Sequence, residues 1–216
     1  MQIHKFTFNP FRENTYLVEH ENEAFIIDPG CSNTMENQEL DDLIEQKEVR
    51  IKAVLNTHCH IDHILGNAHC CKKYDAPLWM DSRDLPNLNM GPQVSLMCAI
   101  PYTPSPEPFK FLDDKSHVNL KDEELEIRFV PGHAPGHIVF IHHSTKSVIG
   151  GDTLFQLSIG RTDLPGGDHE LLLSSIKEQL FSLPDDYTVY SGHGPETTIG
   201  FEKVHNPFVG ERAGSF

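Results

Sequence analysis

Four side chains able to bind a metal ion, His58, His60, Asp62 and His63, fall within the short stretch Thr57-His58-Cys59-His60-Ile61-Asp62-His63, directly after an apolar run that reads as a strand. Side-chain alternation puts His58 and His60 on one side of an extended segment and turns Cys59 away from them. Asp62 and His63 then lead into a helix. Neutral imidazoles and carboxylates are the donors that zinc and similar borderline ions take, and the stretch offers enough of them for two adjacent ions. An isolated His-x-His would read as a solvated polar loop; so dense a cluster argues against that. Later strand ends repeat the chemistry in Pro131-Gly132-His133-Ala134-Pro135-Gly136-His137, Gly150-Gly151-Asp152-Thr153 and Ser191-Gly192-His193-Gly194-Pro195. Each sets a His or Asp in a Gly/Pro turn, where glycine permits close backbone approach and unusual dihedrals.

The elements that must position these turns can be read from periodicity. Residues 2–8, 15–19 and 24–27 read as a meander of strands closing on Asp28-Pro29-Gly30, a turn tripeptide. Asn33 with Glu36 three residues on resembles a capping pair, and Leu40, Leu43 and Ile44 predict a helix to about Lys47. A strand over 51–56, the His-rich loop, a helix carrying Ile64, Leu65, Ala68 and Cys71, and a strand over 77–80 follow. Residues 82–108 hold Pro86, Pro92, Pro101, Pro104, Pro106 and Pro108, which predicts a short helix and a long irregular connection, a candidate binding loop from about 87 to 109. Strands over 126–130, 138–142 and 147–150, a helix over 168–181 and a strand over 187–190 complete the chain. Both halves pair strands with helices, so two facing half-sheets with helices outside would bury both apolar sets, in one domain over 1–216.

Composition narrows the partners. A formal charge of -15 with no Lys/Arg stripe would repel a phosphate backbone, which argues against nucleic acid. No apolar run approaches the roughly 18 residues of a membrane helix, and the beginning of the chain lacks a signal-peptide stretch, so a cytoplasmic protein without membrane association is expected. Cys31, Cys59, Cys70, Cys71 and Cys98 are odd in number with no Cys-x-x-Cys, which predicts reduced thiols.

The stretch from Thr57 to His63 resembles the His-x-His-x-Asp-His signature of the metallo-β-lactamase superfamily, and His133, Asp152 and His193 match its remaining ligand positions in order. Gly132-His133-Ala134-Pro135-Gly136-His137 and Gly151-Asp152-Thr153-Leu154-Phe155 resemble in particular the glyoxalase II, or hydroxyacylglutathione hydrolase, branch and its short bacterial relatives. The resemblance runs from Asn14 to about Phe208. It implies an αββα four-layer sandwich, with one metal on His58, His60 and His133, a second on Asp62, His63 and His193, and Asp152 bridging; Asp62 and Asp152 are the carboxylates on which catalysis would depend. Two divalent ions are implied, zinc first, with iron or manganese as alternatives. Ions roughly 3.5–4 Å apart can hold a hydroxide at neutral pH, and a thiolate leaving group of pKa about 8.5 needs little acid assistance, so a small-molecule acyl thioester is the expected substrate.

Three functions are weighed. The first is that two-metal thioester hydrolase. The second is a mononuclear iron enzyme using His58, His60, His133 and Asp152, because Gly160-Arg161-Thr162-Asp163 also resembles persulfide dioxygenases of the same superfamily. The third, a non-catalytic metal store, fits poorly with so many ligating positions. Only 23 residues follow His193, short of the helical extension that carries much of glyoxalase II's glutathione-binding surface, so the thiol carrier stays open. Arg161 could form an ion pair or reach an anionic substrate group. His137 is expected to pack or hydrogen-bond, and Cys59, Cys70 and Cys71 to be buried thiols.

Overall fold

Strands β1 (Gln2–Phe8), β2 (Glu13–His20) and β3 (Glu23–Ile27) form the expected antiparallel meander in the computed structural model, which describes residues 1–211 and 213. The chain then crosses over through α1 (Thr34–Lys47) so that β4 (Arg50–Leu55) pairs parallel to β3. The Asn33 side chain caps α1 by accepting the N–H groups of Met35 and Glu36 at 3.0 and 3.1 Å. The Glu36 carboxylate reaches past the cap to the N–H groups of Ser32 and Asn9. After α2 (Ile61–Ile64) and α3 (Asn67–Tyr74), β5 (Leu78–Met80) joins parallel to β4. A longer helix, α4 (Leu85–Met97), precedes β6 (Lys110–Phe111), the far edge of a six-stranded sheet in the order β1-β2-β3-β4-β5-β6. Every residue of β3, which lies between antiparallel β2 and parallel β4, is buried, as a central strand covered on both faces requires. Asp28, Thr57 and Asp81 follow the carboxyl ends of β3, β4 and β5, the end of an open parallel sheet where ligands bind.

The second sheet has the order β14-β13-β10-β9-β8-β7. It runs from β7 (Val118–Leu120) through β8 (Glu123–Phe129), β9 (Ile138–His142) and β10 (Ser147–Gly151). A hairpin of β11 (Leu154–Phe155) and β12 (Ser158–Ile159) leads to α5 (His169–Ser175), which continues as a π-helical turn over Ile176–Leu180. Strand β13 (Thr188–Ser191) then pairs parallel to β10, followed by β14 (Thr197–Thr198) and α6 (Ile199–His205).

Contacts divide the chain into two compact units, Met1–Leu112 with Asn119–Glu124, and Asp113–Val118 with Leu125–Phe216. Leu17, Ile26, Leu40, Val54, Ile64 and Leu78 belong to the core of the first. Val139, Ile141, Leu172, Ile176, Leu180 and Val189 belong to that of the second. Two mixed sheets with helices give the expected α/β class. All five cysteines are free thiols; Cys31, Cys59 and Cys70 are buried, Cys71 is half-buried and Cys98 is exposed.

The expected irregular stretch from about 87 to 109 needs correction, because thirteen residues from Leu85 are helical. Pro86 stands in the first turn, where a missing N–H costs nothing, and Pro92 removes one internal hydrogen bond from a helix whose remaining residues continue it. Only residues beyond Cys98 form the irregular connection. Helix α6 and the two- or three-residue strands β6, β7, β11, β12 and β14 were not anticipated, since elements so short carry no periodic signal.

Candidate metal centre

In the first unit, β4 delivers the His-rich stretch and its backbone is held from three sides. The Thr57 N–H donates to Asp28 Oδ1 at 2.7 Å, the Cys59 N–H to the Asp84 carboxylate, and the Asn9 amide to the Asp62 carbonyl at 3.0 Å. His58 and His63 are fully buried, with ring centroids 4.2 Å apart, and the His60 ring stands edge-on to His58 at 4.8 Å. Asp62 Oδ2 lies 3.8 Å from His63 Nε2. All four expected ligands of this unit therefore come together.

Proton counting fixes two tautomers. The Asp28 carboxylate only accepts, so at 3.1 Å His63 Nδ1 carries the proton. Thr57 gives its single hydroxyl proton to Asp28 Oδ2 at 2.6 Å, so His58 Nδ1, 3.1 Å from the same hydroxyl oxygen, donates to it. In both rings Nε2 is left as the lone-pair donor, the arrangement in which an outer carboxylate or hydroxyl orients a metal-binding imidazole. Asp28, His58 and His63 offer ligand atoms within 4.8 Å of one another, but both Asp28 oxygens are already engaged as acceptors. Sequence reasoning took Asp28 for turn chemistry alone; its place directly after the apolar run Ala24-Phe25-Ile26-Ile27 was the available signal.

Behind this shell, Glu13 is buried at 3.9 Å from His63 Nδ1. Burial pushes its carboxyl well above the usual carboxylate range, against the pull of His63. The Thr15 hydroxyl, which accepts from the Gly30 N–H, lies within donating distance of both Glu13 Oε2 and the Asp28 carbonyl, at 2.9 Å each. Cys59 is a core thiol as expected, with Sγ 3.6 Å from Met80 Sδ and a pKa raised by burial.

In the second unit, Asp152 directly follows β10, with Oδ2 3.6 Å from His133 Nε2 and 3.5 Å from His193 Nε2. His133 Nδ1 donates to the Arg161 carbonyl at 2.8 Å, which again leaves Nε2 as the lone-pair donor. His137 accepts the backbone N–H of Asp152 on Nε2 at 3.0 Å, so its function here is to hold that backbone. A Cβ on Gly160 would fall 2.0 Å from the Asp152 carbonyl oxygen, so glycine alone fits there. The exposed Arg161 guanidinium pairs with Asp163 through two contacts of 2.7 Å, which realises the ion-pair reading. Away from these turns, His4, His20 and His69 face Glu19, Asp122 and Asp41.

Packed imidazoles with Nδ1 set against oxygen partners, and carboxylate oxygens near their Nε2 atoms, are a donor set that fits divalent metal ions, and they stand on an α/β fold of two mixed sheets. That combination defines a candidate metal-binding protein of the α/β class. The chain belongs to the metallo-β-lactamase superfamily, whose profile matches residues 8–193. It is 35% identical over 216 residues to the hydroxyacylglutathione hydrolase GloC of Haemophilus influenzae, covering 99% of this chain and 100% of that protein. The BLEG-1 B3 metallo-β-lactamase superposes with a TM-score of 0.86 at 33% identity, covering 96% of this chain and 99% of that one. TTHA1623 in a di-iron-bound form gives a TM-score of 0.84 at 35% identity, covering 95% and 99%.

Proposed function

We propose that this protein hydrolyses a small acyl thioester at a centre of two divalent ions. His58, His60 and His133 bind one ion, Asp62, His63 and His193 the other, and Asp152 is shared. The observation that carries this reading is the oxygen partner that Nδ1 of His58, His63 and His133 each meets, at 3.1, 3.1 and 2.8 Å, the arrangement that assigns the Nδ1 proton to that partner and Nε2 to a metal. Such bound ions lower the pKa of water toward neutrality and polarise a carbonyl. Asp28 and Thr57 hold the imidazoles against rotation, and His137 and Gly160 hold the Asp152 backbone, so the donors are arranged before substrate arrives. A thiolate departs without a proton, so no further acid is required of the chain. The hydroxyacylglutathione hydrolase relative supports a 2-hydroxyacyl glutathione thioester as the first substrate to assay. Zinc is the ion proposed, with iron its competitor on the strength of the di-iron neighbour.

The test is metal analysis of protein purified without added metal, alongside hydrolysis of glutathione and coenzyme A thioesters. Two ions per chain with thioester turnover are expected, and Asp152→Ala should lower metal content and reduce turnover by more than about a hundredfold. Dinuclear occupancy with normal turnover in Asp152→Ala would remove the shared carboxylate from this reading. Oxygen uptake with a persulfide and no thioester turnover would favour the mononuclear iron dioxygenase, and turnover of a chromogenic cephalosporin alone would favour β-lactam hydrolysis.

A further inference from the structure

Glu202 is fully buried in α6, outside the proposed ligand set, and three donors converge on its carboxylate. The Leu157 N–H is shared between its two oxygens at 3.2 and 3.0 Å, the Thr197 hydroxyl donates to Oε1, and the Asn206 amide donates to Oε2 at 2.8 Å. Asn206, also fully buried, sends its other amide proton to the Ser158 carbonyl at 3.0 Å. Two backbone groups at the turn of the β11–β12 hairpin, the Leu157 N–H and the Ser158 carbonyl, are thus pinned to α6 and the residue that ends it. Leu157 needs that pin, because it holds a left-handed backbone (φ 56) that a leucine rarely adopts. A buried carboxylate contributes less stability than an apolar side chain of similar volume, so its presence in this core points to geometric control.

The pinned hairpin leads directly to the second-unit donors. Thr153, which follows Asp152, accepts the Gly160 N–H on its carbonyl at 3.1 Å, and a Cβ on Gly160 would lie 3.0 Å from His133 Nδ1. The next carbonyl, that of Arg161, takes the His133 Nδ1 proton. We infer that Glu202 is a positioning residue. By fixing the hairpin tip it places the Arg161 carbonyl that selects the His133 tautomer and the backbone that carries Asp152. This inference rests on the proposed metal centre for its consequence, but not for its geometry.

Two variants separate this function from a merely structural one. In Glu202→Gln the remaining oxygen can face Leu157 N–H and Asn206, whose amide cannot flip because Asn206 Oδ1 already accepts from Phe208 and Val209 N–H. The new amide then faces Thr197, whose hydroxyl can accept. Glu202→Ala removes every acceptor. Titration of the metal-free proteins with Co²⁺ should give Glu202→Gln an affinity within about threefold of wild type and Glu202→Ala an affinity at least about tenfold weaker. Long-range ¹H–¹⁵N spectra of the metal-free proteins should show His133 protonated on Nδ1 in wild type and Glu202→Gln, and a tautomer mixture in Glu202→Ala. Leu180→Ala, a core truncation in the same unit, serves as the control for lost stability and should keep the wild-type tautomer and affinity. Wild-type Co²⁺ affinity and an unchanged His133 tautomer in Glu202→Ala would overturn the inference, as would equal losses in Leu180→Ala. If wild type itself binds no Co²⁺, the metal-centre reading fails, and the metal-free tautomer comparison still decides the function of Glu202.

Discussion

Asp28 acts from behind His63, and its three incoming hydrogen bonds make a sharp prediction. Asn tolerates the left-handed backbone that Asp28 adopts (φ 51), so Asp28→Asn changes the side chain alone. Its amide would face a donor in place of an acceptor, and metal affinity should fall by about 10–100-fold while the protein stays folded. Unchanged affinity in a zinc competition titration would show that His63 needs no orienting carboxylate. Away from the centre, Asp41 accepts from Lys73 Nζ at 2.8 Å, from His69 at 3.2 Å and from the Tyr74 hydroxyl. Burial raises its pKa, yet these hydrogen bonds outweigh it and hold the carboxyl below the usual range. A depressed pKa contributes stability above the unfolded value of about 3.9, lost as pH falls through the folded value. Asp41→Asn should therefore cost about 2 kcal/mol at pH 7, with the difference shrinking below about pH 4 in urea titrations. The candidate positions of the proposed centre were legible because seven His and Asp residues sit in strand-end turns; Asp28, Glu13 and Glu202 were not, because one carboxylate in an apolar context announces nothing until its donors are seen.

Among the elements, most of the long periodic ones were legible, and of the two- and three-residue strands only β5 was. The α1 cap at Asn33 and the meander β1 to β3 follow from a capping pair and from alternation. The helix expected within residues 82–108 proved longer than the short one anticipated, because Pro86 and Pro92 were weighted as breakers although their positions in α4 cost little. Beyond it, the irregular connection packs on α3, with Tyr102 and Ser105 hydroxyls 2.9 Å apart and the Asn67 amide donating to Ser105 at 3.0 Å. Asn67 also donates to Asn56 Oδ1 at 2.8 Å, and Asn56 in turn donates to the His63 carbonyl at 3.1 Å. The start of α3 is thereby a strut between the connection and the His-rich stretch. Asn67→Ala should cost about 2 kcal/mol in denaturant unfolding, as buried amide partners lose their mates, and Ser105→Ala appreciably less. Equal costs for the two would place the weight of the strut on Ser105.

For the molecule as a whole, ions that bind only the folded chain add their binding free energy to its stability. Removing metal with a chelator should lower Tm and abolish thioester turnover together, and zinc at about 100 times its Kd should restore about 2.7 kcal/mol. A Tm indifferent to chelation would mean that the centre holds no ion of consequence. The distribution of the thiols offers a way to watch this from outside. Cys98 alone among the five is exposed, Cys71 is half-buried with its pKa pushed up to about 12 by burial, and the other three are buried in the first unit. A maleimide should therefore label one site within seconds and the buried thiols only as fast as that unit opens, so mass spectra taken over time become an unfolding clock with its own internal start signal. Added zinc should slow that clock without touching the first tick.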